Sequence, residues 1–534
     1  MSRETRERRE GSLEAPTRHP LDWRSPAFYD EDALGKELER IFEICHGCRR
    51  CFSLCNAFPT LFDAIDATPS GELNEVDRKA YWEVVDHCYL CDMCFMTKCP
   101  YVPPHPWNVD FPHLMLRAKA VRTKREGLHF RDRVLTSTEA VGNLAGIPVV
   151  AEVVNAVNRS APGRALLAKT LGIARDAPVP LYRSHTARKR LRRLLRTDAG
   201  VTAAEVAVSE ASGGAAQASE GATANGAIPI GGGAVPGPAA TRPDEAPGEL
   251  RATGAVPPER APAAGSAPAI RGRVALFTTC YGNRNEPQMV EDLAIVFRHN
   301  GIPVRLVPQE RCCGMPRLEL GDLEGIDRLK RRNIPVLRRL VDEGWDLVAP
   351  IPSCVLMFKQ ELPLMYPDDA DVQAVRARFF DPFEYLMLRH RAGLLRTDFK
   401  ASLGKVSYHV PCHLRVQNIG LKTRDVLKLV PDTTVDVIER CSGHDGTYGV
   451  KQEFREASVK IGRPVAERVQ RAKADHYSSD CPMAGHQIES LAYPPERSSG
   501  RSGASAAENA GDPHRGPRRE PEHPLTLLRK AYGI

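Results

Sequence analysis

The stretch "RVALFTTC" runs from Arg273 to Cys280. It is too short and too continuously apolar for an amphipathic helix, so it reads as a strand covered on both faces that delivers a thiol at its end. "EPQMVEDLAIVFRHNG" (Glu286–Gly301) then has helical spacing and a glycine stop, "PVRLVP" a second strand, "EGIDRLKRRNIPVLRRLVDEG" a second helix, and "DLVAPIPSC" a third strand closing on Cys354. The succession restarts at "KVSYHVPC" (Lys405–Cys412), passes through "TRDVLKLVPDTTVDVIERC" and "EFREASVKIGRPVAERVQRAKAD", and reaches "HYSSDC" at Cys481. This is an internal duplication of an α/β unit with parallel-strand character. In each copy the cysteines follow strands, where an α/β unit usually places its site.

Working outward, 534 residues are too many for one core, and several domains are expected. The formal charge of +7 is small for the length, and much of it lies in short runs such as "ARKRLRRLLR" (Ala187–Arg196), so a nucleic-acid partner has little support. The first residues lack the apolar core of a secretory signal, and no run of eighteen apolar residues occurs. The expectation is a cytoplasmic chain, with any membrane contact peripheral, at the inner face of the membrane. There, fifteen cysteines point to metal or redox chemistry rather than a disulfide framework.

The boundaries expected from composition are a disordered N-terminus over 1–29, a cysteine-rich module over 30–110, and a helical extension over 111–196. A disordered Ala/Gly/Pro-rich linker over 197–271 follows, then the two α/β units over 272–399 and 400–534. The second carries a disordered insertion at 494–523 ahead of an apolar helix, "PLTLLRKAYGI".

The N-terminal module holds Cys45, Cys48, Cys51 and Cys55 in Cys-x2-Cys-x2-Cys-x3-Cys spacing, then Cys88, Cys91, Cys94 and Cys99 with one extra residue before the last. Three thiolates at three-residue intervals wrap one face of a cubane, and the remote fourth serves the other cluster in two-cluster ferredoxins. The spacing therefore assigns Cys45, Cys48, Cys51 and Cys99 to one 4Fe-4S cluster, and Cys88, Cys91, Cys94 and Cys55 to a second. Pro100 after Cys99 fits this pattern, whereas Asn56 stands where a proline would follow the first run. Zinc modules place their thiols in separated pairs, and a third cysteine would be surplus. Arg49, Arg50 and Lys98 flank the thiols and would raise the potentials, unless they are merely solvated.

The C-terminal units carry Cys280, the pair Cys312–Cys313 in "ERCCGMP", and Cys354, then Cys412 in "HVPCHLR", Cys441 in "ERCSGHDGTYG" and Cys481 in "DCPMAGHQI". Adjacent cysteines favour a shared metal over a mutual disulfide, and Gly314 and Gly443 would let backbone approach it. These units resemble the duplicated CCG cysteine-rich domain found in heterodisulfide reductase and in iron-sulfur subunits of glycolate oxidase and anaerobic glycerol-3-phosphate dehydrogenase. The resemblance implies a helical two-cluster ferredoxin module of α+β class followed by two α/β CCG domains. It also implies five cysteines per unit around a noncubane cluster. Met357 replaces the fifth in the first unit; Ser442 and Ala484 replace two in the second. A further cluster is expected on Cys280, Cys312, Cys313 and Cys354, and only weakly on Cys412, Cys441 and Cys481. His413, His444 and His486 stand nearby, read as hydrogen-bonded loop residues ahead of ligands.

The expected function is an electron-transfer protein within an oxidoreductase complex that receives electrons from a flavoprotein dehydrogenase or another redox protein, since no Gly-x-Gly-x-x-Gly strand-turn-helix is visible for a flavin or nicotinamide. The alternative is a terminal reductase of a disulfide or a quinone at the CCG site. A third reading is a redox-inactive zinc-binding interaction protein. No residue is assigned a catalytic role.

Overall fold

The computed structural model describes residues 15–196, 270–494 and 518–534. The linker expected over 197–271 lies almost wholly outside these, as do positions 495–517 of the expected insertion.

The duplication appears as two parallel four-stranded sheets. β1 (Val274–Leu276), β2 (Val304–Leu306), β3 (Asp346–Val348) and β4 (Phe379–Phe380) lie in the order β2-β1-β3-β4. β5 (Gly404–His409), β6 (Thr433–Ile438), β7 (His476–Ser479) and β8 (Pro521–Glu522) repeat it as β6-β5-β7-β8. Val274 pairs with Val304 on one side and Asp346 on the other, as Val406 pairs with Val435 and His476. Every residue of β1 and β3 is buried, which explains their unbroken apolar character: helices cover both faces. Pro521 is tolerated because β8 is an edge strand. It also shows that residues 518–523, inside the expected insertion, are placed, with β8 closing the second sheet.

Each unit ends in a helix that packs on the other unit. Helix Pro382–Arg391, opened by a capping box from Asp381 and Glu384, lies against helix Lys422–Leu427. Helix Pro524–Tyr532 crosses back to helix Pro287–His299, where buried Asp292 accepts from Thr526 Oγ1 at 2.5 Å and Arg529 Nη1 at 2.7 Å. The reciprocal exchange ties the two units into one core.

The cysteine-rich module is helical: Glu31–Cys48, Ala57–Asp66, Arg78–His87 and Met93–Thr97. Phe42, Phe58, Leu61, Phe62 and Val85 fill its centre beside the thiol loops. Helices Phe111–Glu126, Phe130–Thr136, Thr138–Ala145, Pro148–Arg159, Ala161–Leu171 and Ala187–Arg196 make up the extension. The last of these turns Ala187 and Leu191 inward, pairs Arg188 with Glu310 at 3.3 Å and Arg190 with Glu291 at 3.3 Å, and so docks on the first unit.

Of the N-terminus expected to be disordered over 1–29, positions 1–14 lie outside the described residues, and residues 15–29 depart from the expectation. Residues 15–29 are anchored at two points: Trp23 is buried with its indole donating to the Met365 carbonyl, and the Arg18 side chain is enclosed by Asp92, Asp110 and Glu361. A buried guanidinium anchors this polar tail, a non-local cause that local composition does not register.

Candidate metal centres and the cavity they line

In the N-terminal module the backbone is shaped around the thiols. Helix Glu31–Cys48 ends with Arg49 in the left-handed region, which turns the chain toward Cys51. Leu90 and Asp92 take the same conformation around Cys91, folding three thiols into one loop. Cys45 is raised by burial and by Cys99, Cys51 and Cys48, so these four lie within electrostatic reach of one another. Cys51 is pushed up to about 12 and Cys99 to about 11, burial being the main cause in both.

Cys55 is raised by burial and by Cys88 across the loops, and Cys94 by burial, Cys51, Cys88 and Cys55. Cys88 reaches about 11 through burial, with Lys119 opposing the rise. Two groups of four thiols, buried or half-buried and each drawing its fourth member from the other run, fit two cubanes: metal supplies the charge that enclosure otherwise forbids the thiolates.

Of the flanking cations, Arg49 is spent on Asp66, at 2.5 and 2.8 Å. Lys98 and Arg50 act on Cys51. A buried cation beside the second group is Lys119, donating to the Cys88 carbonyl and to that of Glu319 at 3.2 Å.

In the first CCG unit the thiols of Cys280, Cys312, Cys313 and Cys354 form a continuous set, each touching the next. Hydrogen bonds from Cys280 and Cys313 hold Cys312 down, while Cys280 and Cys313 are driven up. Thr279, just ahead of Cys280, has φ 65°, a strained value for a β-branched residue, and its hydroxyl accepts from Gly282 N at 2.9 Å. Thr138 of the extension faces Cys280 and Cys312. Met357 is fully buried at the fifth position and opens a π-helical turn, Met357–Glu361. Four converging thiols fit a four-ligand cluster.

The second unit does not. Cys412, Cys441 and Cys481 are all raised by burial, Cys441 to about 11 and Cys481 to about 12. Cys441 Sγ already accepts from Gly443 N at 3.3 Å and meets the Tyr89 hydroxyl at 3.3 Å. Ser442 and Ala484 are buried where the remaining thiols would be. Three thiols, one of them engaged, do not fit the five-thiol noncubane arrangement. Gly443 serves packing rather than approach to a cluster, because at φ 72° an added Cβ would sit 2.1 Å from the Ser458 carbonyl oxygen.

The histidines divide. His486 is paired with Glu286 at 3.1 Å and Glu489 at 3.6 Å, the reading expected of it. His413 and His444 are buried: His413 keeps one bond to the Leu90 backbone and leaves Nε2 orphaned, whereas both ring nitrogens of His444 are orphaned, contrary to the expected loop hydrogen bonding. Asp445 was missed by sequence reasoning. Its carboxylate lies 3.8 and 4.0 Å from Cys412 Sγ. The signal was present in "CSGHDG", an acidic residue beside a histidine in a thiol loop.

Thiols from both units, with histidines and Asp445 of the second, border one cavity of about 670 Å³ between the two units and the extension. Cys280, Cys313, Cys354, Cys412 and Cys481 line one side, and Val134, Val141, Val154, Leu167 and Leu171 the other. The second N-terminal thiol group abuts this region, since Cys91 is raised by burial and then by Cys412, Asp445 and Cys441. Among the described residues no single helix is long and apolar enough to cross a membrane.

Two parallel α/β units with thiols at their strand ends define a duplicated cysteine-rich domain, and residues 274–359 and 406–489 each match the CCG cysteine-rich domain. The chain thus carries two copies of the CCG cysteine-rich domain, and it is similar to iron-sulfur proteins and to subunits of a dehydrogenase and a reductase. It is 29% identical over 221 residues to a subunit of the anaerobic glycerol-3-phosphate dehydrogenase of Escherichia coli K12, covering 41% of this chain and 55% of that protein. A subunit of the CoM/CoB fumarate reductase of Methanothermobacter marburgensis is 28% identical over 222 residues, 41% of this chain and 42% of that one. An iron-sulfur protein of Methanocaldococcus jannaschii is 27% identical over 219 residues, 40% and 41% of the two chains. The chain thus spans about half the length of the curated relatives it matches.

Proposed function

We propose that the chain is the electron-transfer component of an oxidoreductase complex, with one 4Fe-4S cluster on Cys45, Cys48, Cys51 and Cys99 and another on Cys88, Cys91, Cys94 and Cys55. When bound, such clusters supply one-electron carriers between a partner dehydrogenase and the CCG cavity. The observation that carries the reading is the coupling of Cys91 and Cys55 to Cys441, and of Cys91 to Cys412, which brings the second thiol group to the edge of the second CCG unit. The protein's own residues shape that path. Burial excludes water from Cys88 and Cys94, Lys119 offsets negative charge at Cys88, and Tyr89 bridges toward Cys441. The partner is a flavoprotein dehydrogenase or another redox protein, in keeping with relatives that are named as subunits of a dehydrogenase and a reductase. The complex works in the cytoplasm, at the inner face of the membrane where it meets one.

The test is low-temperature EPR on anaerobically prepared protein reduced with dithionite. Cys48→Ser and Cys91→Ser should each remove one cubane signal and leave the other. If neither changes the spectrum, the assignment fails.

The cavity favours a second reading, a terminal reductase acting on a disulfide or a quinone between the thiols and the apolar roof. Turnover of either acceptor by the reduced chain alone would support it.

A further inference from the structure

The second CCG unit lacks the thiols for a noncubane cluster, yet it gathers metal-binding groups of other kinds. The ligating atoms of Cys412, His413 and Asp445 lie within 4.8 Å of one another. Tetrahedral ligands of one ion at about 2.0–2.3 Å stand roughly 3.5 Å apart, so small side-chain shifts close the set.

Three features say that a cation belongs there. Asp445 is buried with its carboxylate against the Cys412 thiol, a neighbour that brings it no positive charge. His413 is 8% exposed and its Nε2 has no hydrogen-bond partner, while the Leu90 backbone bonds the ring. That is the arrangement of a ligating imidazole, one nitrogen held by a carbonyl and the other left to the metal. The three groups also line the 670 Å³ cavity. Of the remaining thiols, Cys441 already meets Tyr89 and Gly443 N, and Cys481 is outside the group of ligating atoms that lie within 4.8 Å of one another.

We propose that the second CCG unit holds one zinc ion on Cys412 Sγ, His413 Nε2 and an Asp445 carboxylate oxygen, with its fourth position open to the cavity. A mixed sulfur, nitrogen and oxygen set is borderline in softness and suits zinc. Three protein ligands with one vacancy is the form of a zinc site that accepts an outside ligand, and the three groups line the same cavity as Cys280, Cys313 and Cys354 of the first unit. The proposal goes beyond the electron-transfer reading and does not need it.

The test uses the full chain, purified anaerobically from zinc-supplemented medium and washed with chelator. Elemental analysis should find about one zinc per chain, and zinc-edge X-ray absorption should find one sulfur near 2.3 Å with nitrogen or oxygen near 2.0 Å. Asp445→Asn and Cys412→Ser should each lower bound zinc at least tenfold while keeping the iron and acid-labile sulfide of the wild type. Cys354→Ser and Cys441→Ser should retain it. Zinc absent from the wild type, four sulfurs around it, or full zinc in Asp445→Asn would overturn the site. If the variants fail to fold, the wild-type absorption spectrum still decides. Sulfide reports on the clusters and zinc on this site, so the two readings fail separately.

Discussion

Arg18→Met probes the buried charge network beneath the second thiol loop. The guanidinium donates to Asp92 at 2.6 and 3.0 Å and to Asp110 at 2.9 and 3.1 Å, with Glu361 at 3.7 Å. Asp92 sits between Cys91 and Cys94, so the network fixes the loop that carries them. Burial pushes Asp110 upward, but Arg18 and His113 outweigh it and hold its carboxyl at about 2. From an ordinary value near 3.9, that corresponds to about 2–3 kcal/mol of stability. The contribution is present above about pH 4 and lost as pH falls through about 2. Removing one partner of a buried pair costs about 3–5 kcal/mol by general experience, in the same range.

With about 2.1 cal/mol/K of unfolding entropy per residue over 534 residues, ~3 kcal/mol lowers the melting temperature by about 3 °C. Anaerobic calorimetry at pH 7 on Arg18→Met, Asp110→Asn and the double variant measures it. The double variant should melt above the sum of the single losses, with a coupling of about 2 kcal/mol. Melting within 1 °C of wild type, or strict additivity, would refute the network's role.

Gly443→Ala should destabilise by about 2–3 kcal/mol in the same calorimetry, because it combines strain at positive φ with a collision on the Ser458 carbonyl; a neutral result would mean that helix Arg455–Ala472 is free to shift. Burial pulls His486 down, but Glu286 and Glu489 raise it to about 9. A raised pKa stabilises fully below the unfolded value near 6.5 and is lost through about 9, so the melting deficit of Glu286→Gln should vanish between pH 6.5 and 9.5. A constant deficit would reject the pairing. Met357→Cys restores the fifth thiol of the first unit and should alter its low-temperature EPR signal, an effect that Cys280→Ser abolishes; an unchanged spectrum would argue that no cluster sits there.

The duplicated α/β units were legible because each strand ends at a thiol and each helix keeps its spacing, as in β1 with Cys280 and β5 with Cys412. The two-residue strands β4 and β8 carry no periodicity to detect. The reciprocal packing of helices Pro382–Arg391 and Pro524–Tyr532 is a non-local choice. Arg18 looked like part of a charged tail because its carboxylate partners Asp92 and Asp110 lie 74 and 92 positions away, and Glu361 farther still. The orphaned nitrogens of His413 and His444 depend on burial, which one sequence does not reveal.

The claim on which the account rests is answered by counting acid-labile sulfide in anaerobically purified full-length protein. Two cubanes on the eight N-terminal thiols require about eight sulfides per chain, and about twelve if the first CCG unit is also loaded. Zinc at two or more per chain with no acid-labile sulfide would contradict it.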